Sequence, residues 1–237
     1  VIDPTDHPFS GFVFKIQANM DPDHRDRVAF VRICSGRFLK GEQTSHMRTG
    51  KPIRLTNSTL LMGKDRSEID EAFAGDVVGL FDPGIFRIGD TLSNEKDMHY
   101  AGIPIFAPES YMRVEVAGVQ KRKALEKGIE QLVQEGVVQL FSDPEGGSAS
   151  WILGAMGPLQ FDVMRHRLKT EYGVDLTLSV LPYTMARWPQ EGFDPEDFRY
   201  SERIRVVRDR DDNWALLAQS PWDFDRVLER NEDLVLA

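Results

Sequence analysis

Residues 151–181 read WILGAMGPLQFDVMRHRLKTEYGVDLTLSVL, and this stretch predicts a strand, a helix and a second strand in succession. Trp151 to Met156 is apolar enough for a buried strand. Pro158 suits the first position of a helix, where a missing backbone N–H costs no hydrogen bond. Gly173 favours an end to that helix, and Val174 to Leu181 predicts the closing strand. The residues expected in the buried stripe of the helix are Phe161, Met164, Leu168 and Tyr172.

The sequence before this stretch predicts a similar unit. Tyr111 to Ala117 alternates as a strand does, residues 119–135 have helical periodicity, and Val137 to Phe141 predicts another strand. Gly136 suits the left-handed position after the helix. The residues expected on the buried face of this helix are Leu125, Ile129, Leu132 and Val133. The whole order is β-α-β-β-α-β, the split βαβ arrangement of ferredoxin-like folds.

Residues 9–108 have a different pattern, with short strand-like runs, frequent turns and no strong helical periodicity. Turn signals recur at Ser35-Gly36, Lys40-Gly41, Thr49-Gly50, Asp82-Pro83-Gly84 and Gly89-Asp90. This spacing favours an all-β barrel or sandwich, and closure into a barrel would hide the sheet edges. We therefore predict a β-barrel domain over 9–108 and an α/β domain with a ferredoxin-like core over 109–237.

The segment joining the two predicted domains contains Pro104, Phe106 and Pro108. Its prolines restrict the backbone, and its apolar residues predict burial between the domains. After the ferredoxin-like core, Ile204–Arg208 and Trp214–Gln219 predict a hairpin. A last helix is expected from Ser220.

Several classes of protein and site are excluded by composition and motifs. No apolar run reaches the roughly 20 residues of a membrane-spanning helix. The single cysteine, Cys34, excludes an internal disulfide framework and favours a cytoplasmic location. No phosphate-binding loop of the form G-x-x-x-x-G-K-[ST] occurs, the histidines are scattered, and we predict neither a catalytic group nor a metal site in this chain. Because the sequence begins with Val1 and not with Met, we expect a piece of a longer protein.

Charge is unevenly distributed along the chain. The formal net charge is −9, yet residues 25–54 hold eight Lys or Arg against two acids. We call residues 25–54 the basic stretch; it either forms a face that binds phosphates or is a solvated surface without a partner. Phe38 could stack on a base or pack in the core, and packing is the favoured role. The candidate RNA contacts are Arg25, Arg27, Arg32, Arg37, Lys40, Arg48, Lys51, Lys121, Arg122 and Lys123.

Six segments resemble one family of translation factors. The segments that resemble bacterial peptide chain release factor 3 are 12–22, 24–36 with Phe38, 155–163 and 186–188. The segments 71–79 and 88–91 resemble the second domain shared by translational GTPases. The Gly-Asp-Thr element at residues 89–91 is generic, and the Arg-Asp-Arg-Val-Ala-Phe run at residues 25–30 is the family-specific part. The resemblance covers nearly all of 9–188.

The resemblance implies the ribosome-binding, carboxy-terminal part of a GTP-dependent termination factor. Such a factor promotes departure of codon-reading release factors from the ribosome after peptide release, in the cytoplasm. GTP, GDP and magnesium would belong to an amino-terminal G domain outside this chain, so whether the present chain is an enzyme stays open. The partners implied are ribosomal RNA and proteins, the codon-reading factors as competitors, the G domain, and no membrane. Two alternatives remain: another translational GTPase, or a freestanding RNA-binding or scaffold module.

Overall fold

The computed structural model describes residues 3–5, 8–18, 27–56, 58–62, 65–115, 121–146, 151–199 and 202–237. The chain divides into two compact units between Pro104 and Ile105. The predicted boundary lies four residues later, after Pro108. The predicted strand end at Ala117 and the predicted helix start at residue 119 lie outside the described residues.

The first unit is made of β-strands in its described part. The strands are β1 (Ser10–Ala18), β2 (Arg27–Ser35), β3 (Arg37–Leu39), β4 (Gln43–His46), β5 (Lys51–Arg54), β6 (Ser58–Met62), β7 (Asp65–Glu68), β8 (Glu71–Phe73), β9 (Val77–Phe81) and β10 (Thr91–Ser93). Among the described residues, eight of them form an antiparallel sheet in the order β5-β4-β10-β1-β2-β9-β6-β7, and β3 pairs with β8 separately.

One apolar core lies against the inward side of this sheet. Alternate residues of β2, namely Ala29, Val31 and Ile33, are buried in it, because successive side chains of a strand point to opposite faces. Phe38 from β3 is fully buried in the same core, so it packs, as favoured from the sequence. Gly11 allows close packing here, since a Cβ at this position would lie 2.6 Å from Val31 Cγ1.

The second unit combines strands and helices. Its elements are β11 (Ser110–Glu115), α1 (Arg122–Gln134), β12 (Gln139–Ser142), β13 (Trp151–Ala155), α2 (Pro158–Tyr172), β14 (Thr177–Leu181), β15 (Met185–Arg187), β16 (Ile204–Arg208), β17 (Trp214–Ala218) and α3 (Pro221–Arg230). The sheet order is β14-β11-β13-β12-β16-β17-β15. The first four strands in this order form the ferredoxin-like arrangement, so the predicted split βαβ core is confirmed.

The two helices of this core bury the predicted stripes except for Tyr172, which is half-buried against the core. The buried residues of α1 include Leu125, Ile129, Leu132 and Val133, and those of α2 are Phe161, Met164 and Leu168. Gly128 lets the helices approach closely, because a Cβ there would lie 2.5 Å from Leu168 Cδ2. Gly173 ends α2 in the left-handed conformation, with a φ of 65°. No helix in the described ranges is both long and apolar enough to span a membrane.

The last part of the chain extends the sheet. The predicted hairpin is formed by β16 and β17, and β16 joins the edge of β12 through Ser142 and Arg208. Arg205 of β16 makes two hydrogen bonds to the Asp143 carboxylate, of 2.7 and 3.0 Å, and a third, of 2.8 Å, to Glu145. These contacts tie the tail to the loop after β12.

Candidate functional site

Arg27 is buried and does not belong to an exposed basic face. Its Nε atom lies 2.5 Å from Asp82 Oδ2, and Nη2 donates to the carbonyl of Phe86 at 3.1 Å. The other carboxylate oxygen of Asp82 accepts the backbone N–H groups of Gly84 and Ile85. The expectation that Arg27 contacts RNA from the surface is therefore corrected: Arg27 follows the inward alternation of β2 and neutralises a buried carboxylate.

Arg48 is held by a second carboxylate, Asp90. Its Nε donates to Asp90 Oδ1 at 2.6 Å, and Nη2 donates to Asp90 Oδ2 at 2.9 Å. His46 Nε2 lies 2.7 Å from Asp90 Oδ2, and the backbone N–H of Arg87 donates to the same oxygen at 2.7 Å. These groups join β4 and the turn after it to the segment before β10.

The pKa of Asp90 reflects this environment. Burial alone raises the pKa of the carboxyl group, but the hydrogen bonds from His46, Arg48 and Arg87 outweigh it and lower the pKa to about 2. Asp90 is therefore ionised at neutral pH. The generic Gly-Asp-Thr element has a structural role at this position.

Arg37 and Lys40 are exposed but face acidic side chains. Arg37 Nη1 lies 3.6 Å from Glu71 Oε2, and Lys40 Nζ lies 2.8 Å from Glu68 Oε2. The hydrogen bond to Glu68 raises the pKa of Lys40, and the same bond lowers the pKa of Glu68. A phosphate group would have to compete with these carboxylates.

Arg32 and Lys51 are the two candidates of the first unit that are exposed and make no ion pair with a described residue. Arg32 lies on the outward side of β2 and Lys51 at the start of β5, and Arg54 at the end of β5 is also exposed. Arg25 lies outside the described residues. The described basic side chains of this stretch are thus of three kinds: buried, exposed with an ion pair, and exposed without one.

The three candidates at the start of α1 also differ in whether their charged groups have a partner. Lys121 Nζ donates to the carbonyl of Gly173 at 2.6 Å, and Arg122 Nε donates to Glu126 at 3.0 Å. Lys123 is exposed without an ion pair to a described residue. Within the second unit, Lys123 is the candidate most open to a partner.

The burial expected for the joining segment is wrong for its central ring. Phe106 is 69 % exposed, and Pro104 is exposed as well. Pro108 is buried, and its ring packs at Gly154, where a Cβ would lie 2.6 Å from Pro108 Cγ. Gln139 Nε2 donates to the carbonyl of Phe106 at 2.7 Å, so the backbone is held although the ring is not covered.

Within the described ranges, no group of three or more His, Cys, Asp or Glu side chains is placed to hold a metal ion. The glycine before α2, Gly157, has extended backbone dihedrals, and the Gln160 side chain occupies its N–H. The N–H of Gly157 is therefore not directed at an external acceptor.

Sequence reasoning overlooked two exposed rings on the first sheet. Phe14 and Phe81 are 36 % and 48 % exposed on β1 and β9. The alternation of side chains along a strand could have indicated them. In β9 it places Phe81 on the face opposite to the buried Val78 and Leu80.

Comparison with known families assigns both units. Residues 8–95 match the model described as "Elongation factor G domain 2", and residues 100–228 match the model described as "Class II release factor RF3, C-terminal domain". The second match spans more than half of the chain. The chain belongs to the class II release factor RF3 family. The predicted family is confirmed, and the predicted barrel followed by an α/β domain agrees with both models.

Curated relatives carry the same family name. A peptide chain release factor 3 of Symbiobacterium thermophilum is 47 % identical over 236 residues, covering 99 % of this chain and 44 % of the relative. Those of Gloeobacter violaceus and Rippkaea orientalis are 44 % and 43 % identical, again covering 44 % of each relative. The chain therefore spans less than half the length of these release factors.

A solved structure supports the fold. A Thermus thermophilus protein, known from a crystal structure, matches with a TM-score of 0.62 and 23 % identity. The match covers 86 % of this chain and 31 % of the Thermus chain.

Proposed function

We propose that this chain is the ribosome-binding part of a GTP-dependent termination factor. The observation that carries this proposal is the match of residues 100–228 to the C-terminal domain of class II release factors. The exposed cations Arg32, Lys51 and Lys123 support it, because open Lys and Arg groups are the usual contacts to RNA phosphates.

The proposal extends to a longer protein that would contain this chain, as the curated relatives contain the region that it matches. That protein would bind GTP or GDP with magnesium in a separate G domain and would act on cytoplasmic ribosomes. It would promote the dissociation of codon-reading release factors after peptide release, in competition with them. The present chain would supply contacts to ribosomal RNA and proteins.

The test is binding of the purified 237-residue chain to ribosomes, measured by cosedimentation over a range of protein concentrations. Saturable binding that is displaced by a full-length release factor 3 supports the proposal. Absence of saturable binding at low salt contradicts it. A release factor 3 relative from which the region matching this chain has been deleted should also fail to accelerate departure of the codon-reading factor.

Lys51→Gln should weaken ribosome binding and flatten its salt dependence. Each phosphate contact releases counterions, so losing one should reduce the slope of log affinity against log salt by about 1. The slope is measured between low and physiological salt. Lys96→Gln is the matched control, because Lys96 is exposed in the acidic region of the same unit. Equal slopes for the wild type and the Lys51 variant would remove this residue from the proposed contact surface.

The isolated chain should neither bind nor hydrolyse GTP. The sequence has no phosphate-binding loop, and the described residues offer no metal cluster. Isothermal titration calorimetry with GTP and GDP, each with magnesium, should detect no binding heat. Micromolar binding of either nucleotide would contradict the assignment of nucleotide binding to a separate domain.

A further inference from the structure

The outward side of β1, β2 and β9 forms a continuous face on the first sheet. The strand register sets Lys15 opposite Phe30 and places Phe81 one strand over, opposite Val28. We call the group Phe14, Lys15, Phe30, Arg32 and Phe81 the aromatic–basic face. No outward position of Ser10–Ala18, Arg27–Ser35 or Val77–Phe81 carries an acidic residue.

The rings and cations of this face are ordered by contacts with one another. Phe30 is only 8 % exposed, and its ring lies 6.4 Å from that of Phe14. Lys15 Nζ lies 5.4 Å from the centroid of Phe30. Phe30 therefore supports its neighbours, while Phe14 and Phe81 keep ring surface available and Arg32 stays exposed.

This composition is unusual for the exposed side of an antiparallel sheet. Such a side normally carries polar residues, and this chain has more acidic than basic residues overall. Here the exposed groups are aromatic rings and cations without a carboxylate. Exposed rings stack on bases of any sequence, and neighbouring Lys and Arg neutralise the phosphates between them.

We propose that the aromatic–basic face binds unpaired RNA nucleotides, with bases stacked on Phe14 and Phe81 and phosphates at Lys15 and Arg32. This inference rests on the proposed ribosome-binding function and specifies its ligand. A protein partner is less well matched, because the aliphatic outward residues Val28 and Val77 are already half-buried. The groups that remain exposed to a partner are the aromatic rings of Phe14 and Phe81 and the cations Lys15 and Arg32.

The test uses the 237-residue chain and a fluorescein-labelled oligouridylate of about eight nucleotides, a length typical of such sites. Binding is followed by fluorescence anisotropy at low salt. Phe81→Leu and Phe14→Leu should each weaken binding about tenfold, because they keep apolar bulk but remove the stacking ring. Phe73→Leu is the matched control, since Phe73 is 54 % exposed in the same unit but lies on β8, outside this face.

Charge is tested separately from stacking. Arg32→Gln should reduce the salt slope of oligonucleotide binding by about 0.7, the value for one contact to a single strand. Unchanged circular dichroism and thermal midpoints for all four variants ensure that a loss of binding is not a loss of folding.

Each outcome of these binding measurements either supports or overturns the inference. Wild-type binding that is not saturable, or equal binding by wild type and Phe81→Leu, overturns the inference. A Phe81→Leu defect on whole ribosomes without a defect on the oligonucleotide also overturns it and assigns the face to a protein partner. Ribosome binding insensitive to Phe14→Leu and Phe81→Leu defeats this inference alone. Oligonucleotide binding sensitive to both variants, in a chain that does not bind ribosomes, supports the face and defeats the proposed function.

Discussion

Replacing Arg27 by Ala should lower the free energy of unfolding of the first unit by about 3 to 5 kcal/mol, the usual effect of removing one partner of a buried ion pair. The Arg27 and Asp82 side chains are 8 % and 0 % exposed, and their charged atoms lie 2.5 Å apart. Without the guanidinium, the carboxylate would stay buried with an uncompensated charge. Differential scanning calorimetry of the 237-residue chain should show a large downward shift of one unfolding transition.

Arg32→Ala is the matched control for this prediction. Arg32 lies on the same strand, five residues along, but its side chain points outward and is exposed. Its removal should change the free energy of unfolding by no more than about 0.5 kcal/mol. If the two variants lost equal stability, the Arg27–Asp82 pair would not be a determinant of the barrel. The two variants also separate an effect on folding from an effect on binding. The Arg32 side chain is open to RNA, whereas the Arg27 side chain is not.

Local periodicity explains what the sequence predicts well. The helices α1 and α2 and the hairpin β16–β17 were predicted because their apolar residues recur at helical or strand spacing within single segments. The ferredoxin-like order follows from the succession of those segments, since short connections leave few topologies. The inward position of Arg27 carried the same kind of signal, because it alternates in phase with Ala29 and Val31. Counting charges along the basic stretch ignored that alternation.

The remaining differences depend on contacts between distant residues. Arg48 and Asp90 are 42 residues apart, and no local pattern indicates that they meet. Phe106 illustrates the opposite case, since an apolar residue in a short joining segment was expected to be buried and is exposed. Which basic groups remain open to a ligand is thus decided by tertiary pairing, which single-sequence reasoning does not provide.

Replacing Asp90 by Asn should lower the free energy of unfolding by about 2 kcal/mol at neutral pH, because the buried carboxylate is the charged acceptor for Arg48 and for the backbone N–H of Arg87. The Asn amide would also present N–H groups to His46 and Arg48, which are themselves donors. Calorimetry or chemical denaturation of the 237-residue chain measures the loss. Asp70→Asn is the matched control, since the Asp70 side chain is 95 % exposed and its removal should change stability by no more than about 0.5 kcal/mol.

The effect of Asp90→Asn should depend on pH in a defined direction. The pKa of Asp90 is lowered from 3.8 to about 2 in the folded chain. A lowered pKa means that the ionised carboxylate stabilises the fold fully above pH about 4, and that this contribution disappears as the pH falls through about 2. The stability difference between wild type and variant should therefore be constant near neutrality and shrink steadily between about pH 4 and about pH 2. A difference that stayed constant over this acidic range would show that the Asn variant acts through packing and that the charge of Asp90 does not stabilise the barrel.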